Sequence, residues 1–336
     1  MSIASFLSSE EPFARRIGQR MEQVEERLRS ACRVDDVVVD SATSYLADAG
    51  GKRLRPLLTL LAAEAGPNPE SQDVIDAAVV MELTHLASLY HDDVMDEAPK
   101  RRGVPTAHYI FGNSSAIMAG DVLFSRASKI VAGLGQKAIY MHAESFERLC
   151  MGQLHETVGP QEGEDPIEHH LKVLSGKTGS LIAAAAHHGV RAAGGSDEVS
   201  EALAAFGEGI GVAFQIADDV IDLVSDPELT GKTPGTDLLE GVPTMPTLLL
   251  ERALKDGTID DAGQAIVDYL GEGDLGQGDR LATVVQMLKA HPVVDETRDL
   301  ARQWVDEALT HLTVIEDLQV HRYLVMFAHA MVERMA

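Results

Sequence analysis

The chain has 336 residues, 45% of them hydrophobic, with 53 acidic against 28 basic side chains and a formal net charge of −25. That much apolar material supports a large core, and so acidic a field argues against nucleic acid as a partner. Aromatics are only 4% of the residues while Ala and Leu recur in almost every segment, a balance that favours helices over strands and predicts an all-α fold.

In chain order, apolar positions at helical spacing, with Ile17, Met21, Val24 and Leu28 on one stripe, predict an outer helix from about Glu10 to Cys32. A second helical stretch around Ser41 to Ala49 is broken by Gly50-Gly51, and the Arg55-Pro56 step reopens a helix through Leu57 to Ala65. A long helix follows from Asp73 to Asp96, apolar until its C-terminal end. Pro99, Gly103, Pro105 and Gly112 mark Glu97 to Asn113 as a loop and connecting turn. Helices are expected again over Ser114 to Gly133, Lys137 to Val158, His169 to Gly189 and Glu198 to Ser225. A Gly/Pro-rich loop from Asp226 to Pro246 precedes a tail of further helices. No linker divides the chain, so a single domain over 1–336 is expected. Cys32 and Cys150 have no zinc-type spacing and fit a reducing, cytoplasmic setting. The N-terminus mixes acid and base where a signal peptide needs an apolar core, and no apolar run approaches a membrane span.

The sharpest signal is HDDVMD, with Asp92, Asp93 and Asp96, echoed by QIADDVID, with Asp218, Asp219 and Asp222. Both are DDxxD, whose first and last aspartates share one helical face a turn apart. Three carboxylates on an apolar helix repel one another unless a cation neutralises them. Mg²⁺ suits them because it takes carboxylate oxygens and leaves positions for water and phosphate, whereas Ca²⁺ sites are more often built on loops. Basic residues stand nearby: Lys52, Arg53 and Arg55 in GGKRLRP, then Arg101 and Arg102, Lys177 beside Thr178, and Lys232. Arg53 is open to two readings, anion contact or salt bridge. His85 lies two helical turns before Asp92, on the same side. His91 reads as a cap or brace for the acidic pair, and Tyr90 and Met95 as packing residues.

With GGKRLRP, LYHDDVMDEAPKRRG, GDVLF, GQ, GKTGSL, FQIADDVIDL and GKTPGTDLLEG in this order over roughly residues 40 to 250, the chain resembles the trans-isoprenyl diphosphate synthases, particularly the bacterial long-chain polyprenyl type. The resemblance implies the isoprenoid synthase fold, a bundle of long helices around a deep central cavity, in a homodimer. It implies that Lys52, Arg55, His85 and Arg102 bind isopentenyl diphosphate. Arg101, Lys177 and Lys232 would hold the allylic diphosphate with Mg²⁺, three ions once substrate is bound, on Asp92, Asp96 and Asp218. Asp93, Asp219 and Asp222 would complete the acidic walls, by coordinating the ions, as expected of Asp93 and Asp222, or by ordering metal-bound water, and Thr178 and Gln215 would line the reacting end. The implied activity is repeated 1'-4 condensation of isopentenyl diphosphate with an allylic diphosphate.

Where short-chain relatives of this family carry a large aromatic, four or five residues before the first motif, this chain has Ser88 and Ala87. With Thr84 and Val80 one and two turns deeper, they are expected to line a hydrocarbon pocket open to a C30–C50 product suited to a quinone side chain, released with transient contact to a membrane surface. A shorter geranylgeranyl or farnesyl product is the alternative. A terpene cyclase is disfavoured by the Asp-rich second motif, and a non-catalytic partner subunit by retention of both acidic and basic sets.

Overall fold

The computed structural model describes residues 11–224 and 234–332. Within these the chain is almost wholly helical: α1 Pro12–Cys32, α2 Val37–Asp48, α3 Leu54–Ala63, α4 Gln72–Met95, α5 Ala107–Phe111, α6 Asn113–Gly133, α7 Gln136–Val158, α8 Pro166–Leu174, α9 Ser180–Ala192, α10 Asp197–Val224, α11 Thr236–Glu240, α12 Met245–Asp256, α13 Asp261–Gly271, α14 Arg280–Ala290, α15 Val293–Thr310 and α16 Leu318–Val332. Its contacts group into two compact units. The first takes the chain up to Arg148, Ser180–Gly207 and His311–Phe327; the second takes Leu149–Gly179, Glu208–Thr310 and the chain from Ala328 on. Since both are assembled from separated segments, no single cut in the chain divides them.

In the first unit α4 is the hub, packed by α1, α3, α6 and α9. Its sequence requires this, because residues on every side of the helix are apolar and such a helix is stable only when surrounded. Val74, Ile75, Val79, Met81, Leu83 and Leu86 are all buried. Helix α1 starts on Pro12, which needs no amide partner in a first turn. Of its expected stripe, Ile17, Val24 and Leu28 are buried. Its start is clasped to α16, where the Phe13 and Tyr323 rings stack at 4.4 Å.

Three segments differ from the sequence expectation. The stretch after α4 is not only loop: Lys100–Arg101 (β1) and Val104–Pro105 (β2) pair antiparallel. Their turn residues Arg102 and Gly103 both have positive φ, 54° and 81°, as in the tight turns that match strand twist. The helical run expected over His169 to Gly189 is interrupted by a π-helical turn, Ser175–Gly179, holding the whole SGKTG sequence. The second Gly/Pro-rich loop also closes earlier than expected, since α11 and the first turn of α12 occupy part of it.

In the second unit α8 packs on α12, and α12 on α13 and α15. Asp165 caps α8 by accepting from the amides of Ile167 and Glu168, which removes two of the unpaired donors at a helix start.

Candidate active site

In the first unit, cations converge around one imidazole. Gly50 and Gly51, with φ of 84° and 149°, end α2, and Arg53 is itself left-handed at φ 50°. This throws the Arg53 guanidinium inward, where it donates to Glu25 Oε1 at 2.5 Å, Glu82 Oε1 at 2.8 Å and the Ala47 carbonyl at 3.0 Å. Of the two readings open for Arg53, the salt bridge is the one observed. Arg102, turned back by its left-handed conformation, donates to the Leu46 carbonyl at 2.8 Å and to that of Gly50. It lies over Gly51, where a Cβ would sit 2.8 Å from the guanidinium carbon, and the φ of 149° there favours glycine.

Arg55 is half-buried, with its Nε shielded from water and without a hydrogen-bond partner. Burial pushes Arg55 down to about 10, against the attraction of Glu82 and helped by the nearby Arg102. Burial, then Arg55, Arg102, Arg101 and Arg53, hold His85 well below the ordinary histidine range. A neutral donor ringed by guanidinium groups, two of them partly satisfied by buried Glu82, is built to receive an anion. Lys52 is exposed at the edge of this segment.

The first acidic motif closes α4. Asp93 is buried, and its Oδ1 receives Nε and Nη2 of Arg101, both at 2.7 Å. Its Oδ2 is buried without a hydrogen-bond partner. Burial raises the Asp93 carboxyl, opposed mainly by Arg101. Expected among the cation ligands, Asp93 is thus directed inward, while Asp92 is half-buried and Asp96 exposed. Carboxylates at a helix C-terminus also meet the negative end of the dipole, so this end of α4 calls for positive charge. His91 faces α6. Its Nε2 lies 3.1 Å from the Ile117 carbonyl and 3.4 Å from Asp121 on α6, in room left by Gly120. Met95, expected to pack, is exposed. Tyr90 is fully buried as expected, its hydroxyl joining the Ala42 carbonyl to the Leu46 amide on α2.

The four residues expected in the chain-length pocket, Val80, Thr84, Ala87 and Ser88, are all buried on α4. The Thr84 and Ser88 hydroxyls donate to the carbonyls of Val80 and His85. With those polar atoms satisfied by their own helix, these side chains present hydrocarbon to their surroundings. At the level of Ala87 helix α6 comes close: a Cβ on Gly120 would lie 3.1 Å from the Ala87 carbonyl oxygen.

In the second unit α10 carries Asp218, Asp219 and Asp222. Asp219 is buried and accepts from the Met245 amide at 2.8 Å, and His170 Nε2 lies 3.2 Å from the same oxygen. The Asp222 carboxylate receives the amides of Thr236 and Asp237 at 3.2 and 3.3 Å. That brings in Asp237, a residue to which sequence reasoning gave no role although it lies within GKTPGTDLLEG. Burial first, then Asp222, Asp219, Glu240 and Asp218, push Asp237 up to about 7. Only the folded neighbourhood reveals this crowding. Lys177 and Thr178 stand half-buried on the π turn, where Lys177 Nζ donates to Glu156 at 2.5 Å. The turn rests on Gly152 of the GQ motif, where a Cβ would lie 2.7 Å from the Gly176 carbonyl carbon and closer to the Lys177 amide. Ser175 also ties it to Glu208 of α10 at 2.5 Å. Gln215 is half-buried on α10. Lys232 lies outside the described residues.

Among the described residues no three His, Cys, Asp or Glu side chains form a ready metal cage. A hard cation held by one or two carboxylates plus substrate phosphates requires none. The carboxylates gathered about Asp237, strained enough to favour a proton near neutrality, are a donor set that a divalent cation would relieve.

A family model described as Polyprenyl synthetase matches residues 36–266. The chain is 40% identical over 322 residues to nonaprenyl diphosphate synthase of Mycobacterium tuberculosis, covering 96% of this chain and 94% of that one. It is 33% identical to octaprenyl diphosphate synthase of Escherichia coli, with 89% and 91% covered. It also matches a crystal structure of geranylgeranyl pyrophosphate synthase from Corynebacterium glutamicum, complexed with calcium and isoprenyl diphosphate. The TM-score is 0.85 at 39% identity, with 98% and 99% covered. The helical architecture is the isoprenoid synthase fold, and with the motif order, the basic cluster and both acidic motifs in place, the chain belongs to the polyprenyl synthetase family and is a prenyltransferase.

Proposed function

We propose that the chain is an all-trans polyprenyl diphosphate synthase that adds isopentenyl diphosphate repeatedly to an allylic diphosphate, giving a C30–C50 product for a quinone side chain. The observation that supports this reading is the presence of two kinds of anion machinery. A metal-independent ring of Arg55, Arg102 and His85 suits one diphosphate, and carboxylates that demand a cation suit the other. An enzyme that ionised a single prenyl diphosphate would need only the second.

Arg55 and Arg102 would hold the head group of isopentenyl diphosphate by charge, with His85 donating as a neutral group. Mg²⁺, three ions with substrate bound, would neutralise the charge growing on the departing allylic diphosphate. Asp92, Asp96, Asp218 and Asp222 would present oxygens to it. Arg101 and Lys177, released from Asp93 and Glu156 in part or whole, would supply further positive charge, as would Lys232. Thr178 and Gln215 would orient the reacting end, because neither is a strong base. The proton lost after C–C bond formation then passes to the adjacent released diphosphate. The elongated product is again an allylic diphosphate and can re-enter the cycle.

Exposed apolar side chains on α5, α6 and the start of α7, namely Tyr109, Ile110, Ile117, Met118, Ile139 and Tyr140, support a homodimer through this face. Among the described residues no helix is long and apolar enough to cross a membrane, which accords with a cytoplasmic enzyme meeting a membrane surface only to release product.

The test is incubation with Mg²⁺, labelled isopentenyl diphosphate and farnesyl diphosphate, followed by product sizing. Long products from wild type, with turnover falling at least about 10²–10³-fold in Asp92→Ala and Asp218→Ala, support the reading. Activity that persists in a chelator defeats it. The geranylgeranyl product of the Corynebacterium relative is the second reading, and a wild type stopping at C20 would establish it here.

A further inference from the structure

Helix α8 ends directly in the π turn that carries Lys177 and Thr178, and α10 carries Asp218 and Asp222. Among the described residues, side-chain contacts tie the α8–π segment to α10 at two levels. One is Ser175 Oγ to Glu208 Oε1 at 2.5 Å. The other is His170 to Asp219, with both side chains nearly buried at 12% and 11% exposure. His170 Nε2 lies 3.2 Å from Asp219 Oδ2, the oxygen that also accepts from the Met245 amide at the start of α12. Facing a carboxylate oxygen, the imidazole donates through Nε2–H, and this partner selects its tautomer. Glu208 and Asp219 are about 16 Å apart along α10. Anchors at two such separated points set the direction of the α8–π segment as well as its distance.

We propose that His170 is a positioning residue: by holding Asp219, it sets the spacing between the Lys177–Thr178 turn and the Asp218–Asp222 pair, and so the seat of the metal-bound allylic head group. It touches no substrate. The proposal rests on the prenyl diphosphate synthase reading given above. Helical geometry explains why the second aspartate takes this part. On α10, Asp218 and Asp222 share a face, whereas Asp219 is rotated about 100° from Asp218 and turns toward α8 and α12.

The test compares His170→Phe, which keeps the ring volume but removes the donor, with His170→Gln, whose amide nitrogen restores a donor near the position of Nε2. Binding of inorganic diphosphate in the presence of Mg²⁺ is measured by calorimetry without turnover, KM is measured for farnesyl and isopentenyl diphosphates, and melting is followed in a chelator. The expected result for His170→Phe is about 10-fold weaker diphosphate binding. Farnesyl diphosphate KM should rise comparably, isopentenyl diphosphate KM should stay within about 2-fold, and His170→Gln should recover most of the loss. If the phenylalanine variant does not fold, His170→Ala is read in the same way. Unchanged binding in the donor-less variant, an equal rise in both KM values, or a glutamine variant as impaired as phenylalanine overturns the role of His170. Asp218→Ala serves as reference: if wild type takes up no magnesium diphosphate, or if Asp218→Ala binds like wild type, the underlying functional reading fails instead.

Discussion

Gly152→Ala adds one methyl group to the backbone floor beneath the π turn. The new Cβ would stand 2.7 Å from the Gly176 carbonyl carbon and nearer still to the Lys177 amide. Carbon contacts relax at about 3.5–4.0 Å, so the turn or α7 must withdraw by about 1 Å. Both neighbours are backbone, and no flexible side-chain end can yield in their place. Overpacking of this kind costs about 1–3 kcal/mol, a fall of about 1–4 °C in Tm for a chain of this size. The loss in turnover should be much larger, because displacing Lys177 and Thr178 by about 1 Å in a site that depends on alignment reduces kcat by about 10²-fold. The assay is steady-state incorporation of isopentenyl diphosphate beside a melting curve. Gly133→Ala serves as control, since nothing lies within 4 Å of a Cβ there. A Gly152→Ala enzyme with kcat within about 2-fold of wild type and an unchanged Tm would refute both the close approach and the importance of the turn's position.

Arg53→Met should lower stability by about 3–5 kcal/mol, because it strands buried Glu82 beside Glu25, and chemical denaturation should show this as a lower midpoint with an unchanged slope. Asp237, raised to about 7, takes up a proton on folding that the unfolded chain would release at the ordinary carboxylate pKa. Its penalty is therefore full above about pH 7 and fades as pH falls toward that ordinary range, so Tm in a chelator should rise from pH 8 to pH 6 and Asp237→Asn should flatten the rise. Ala87→Phe should move products toward about C15–C20 if its methyl borders the growing hydrocarbon. An active variant with unchanged long products would place Ala87 against α6 alone.

The helices were legible because apolar residues recur at helical spacing and because glycines and prolines punctuate them; α1, α4 and α6 begin and end within a few residues of expectation. The acidic motifs were legible because carboxylates in an apolar run are conspicuous. What escaped depends on chain segments distant in sequence. Arg102-Gly103 is not the Asn-Gly or Asp-Gly pair that announces a tight hairpin, and its turn is held by contacts of Arg102 with Leu46 and Gly50. The glycines of SGKTG suggest a flexible loop, yet Gly152 admits that backbone against α7 as a π turn. His91 swings to α6 only because Gly120 leaves room. Glu82 did carry a signal: a carboxylate in the middle of the apolar run MELTHLASLY must be paired when buried, and Arg53 and Arg102 lie beside it.

The two DDxxD motifs fold into the same division of labour although they lie in different units. In each, the second aspartate is the buried one, Asp93 on Arg101 and Asp219 on His170 and the Met245 amide, while the first and last share the more accessible face. A helix makes this division unavoidable, because neighbouring residues diverge by about 100° and residues four apart nearly coincide. A motif of two aspartates four apart could present oxygens to a cation but could not tie its helix to the segments bearing positive charge. The inserted third carboxylate supplies that tie: Asp93 holds the hairpin carrying Arg101 and Arg102, and Asp219 holds α8, which leads to Lys177. Each acidic cluster is thereby coupled mechanically to a segment bearing the basic side chain that would act beside it in the proposed reaction. Loss of a second aspartate should therefore act through displaced cations as much as through lost metal affinity.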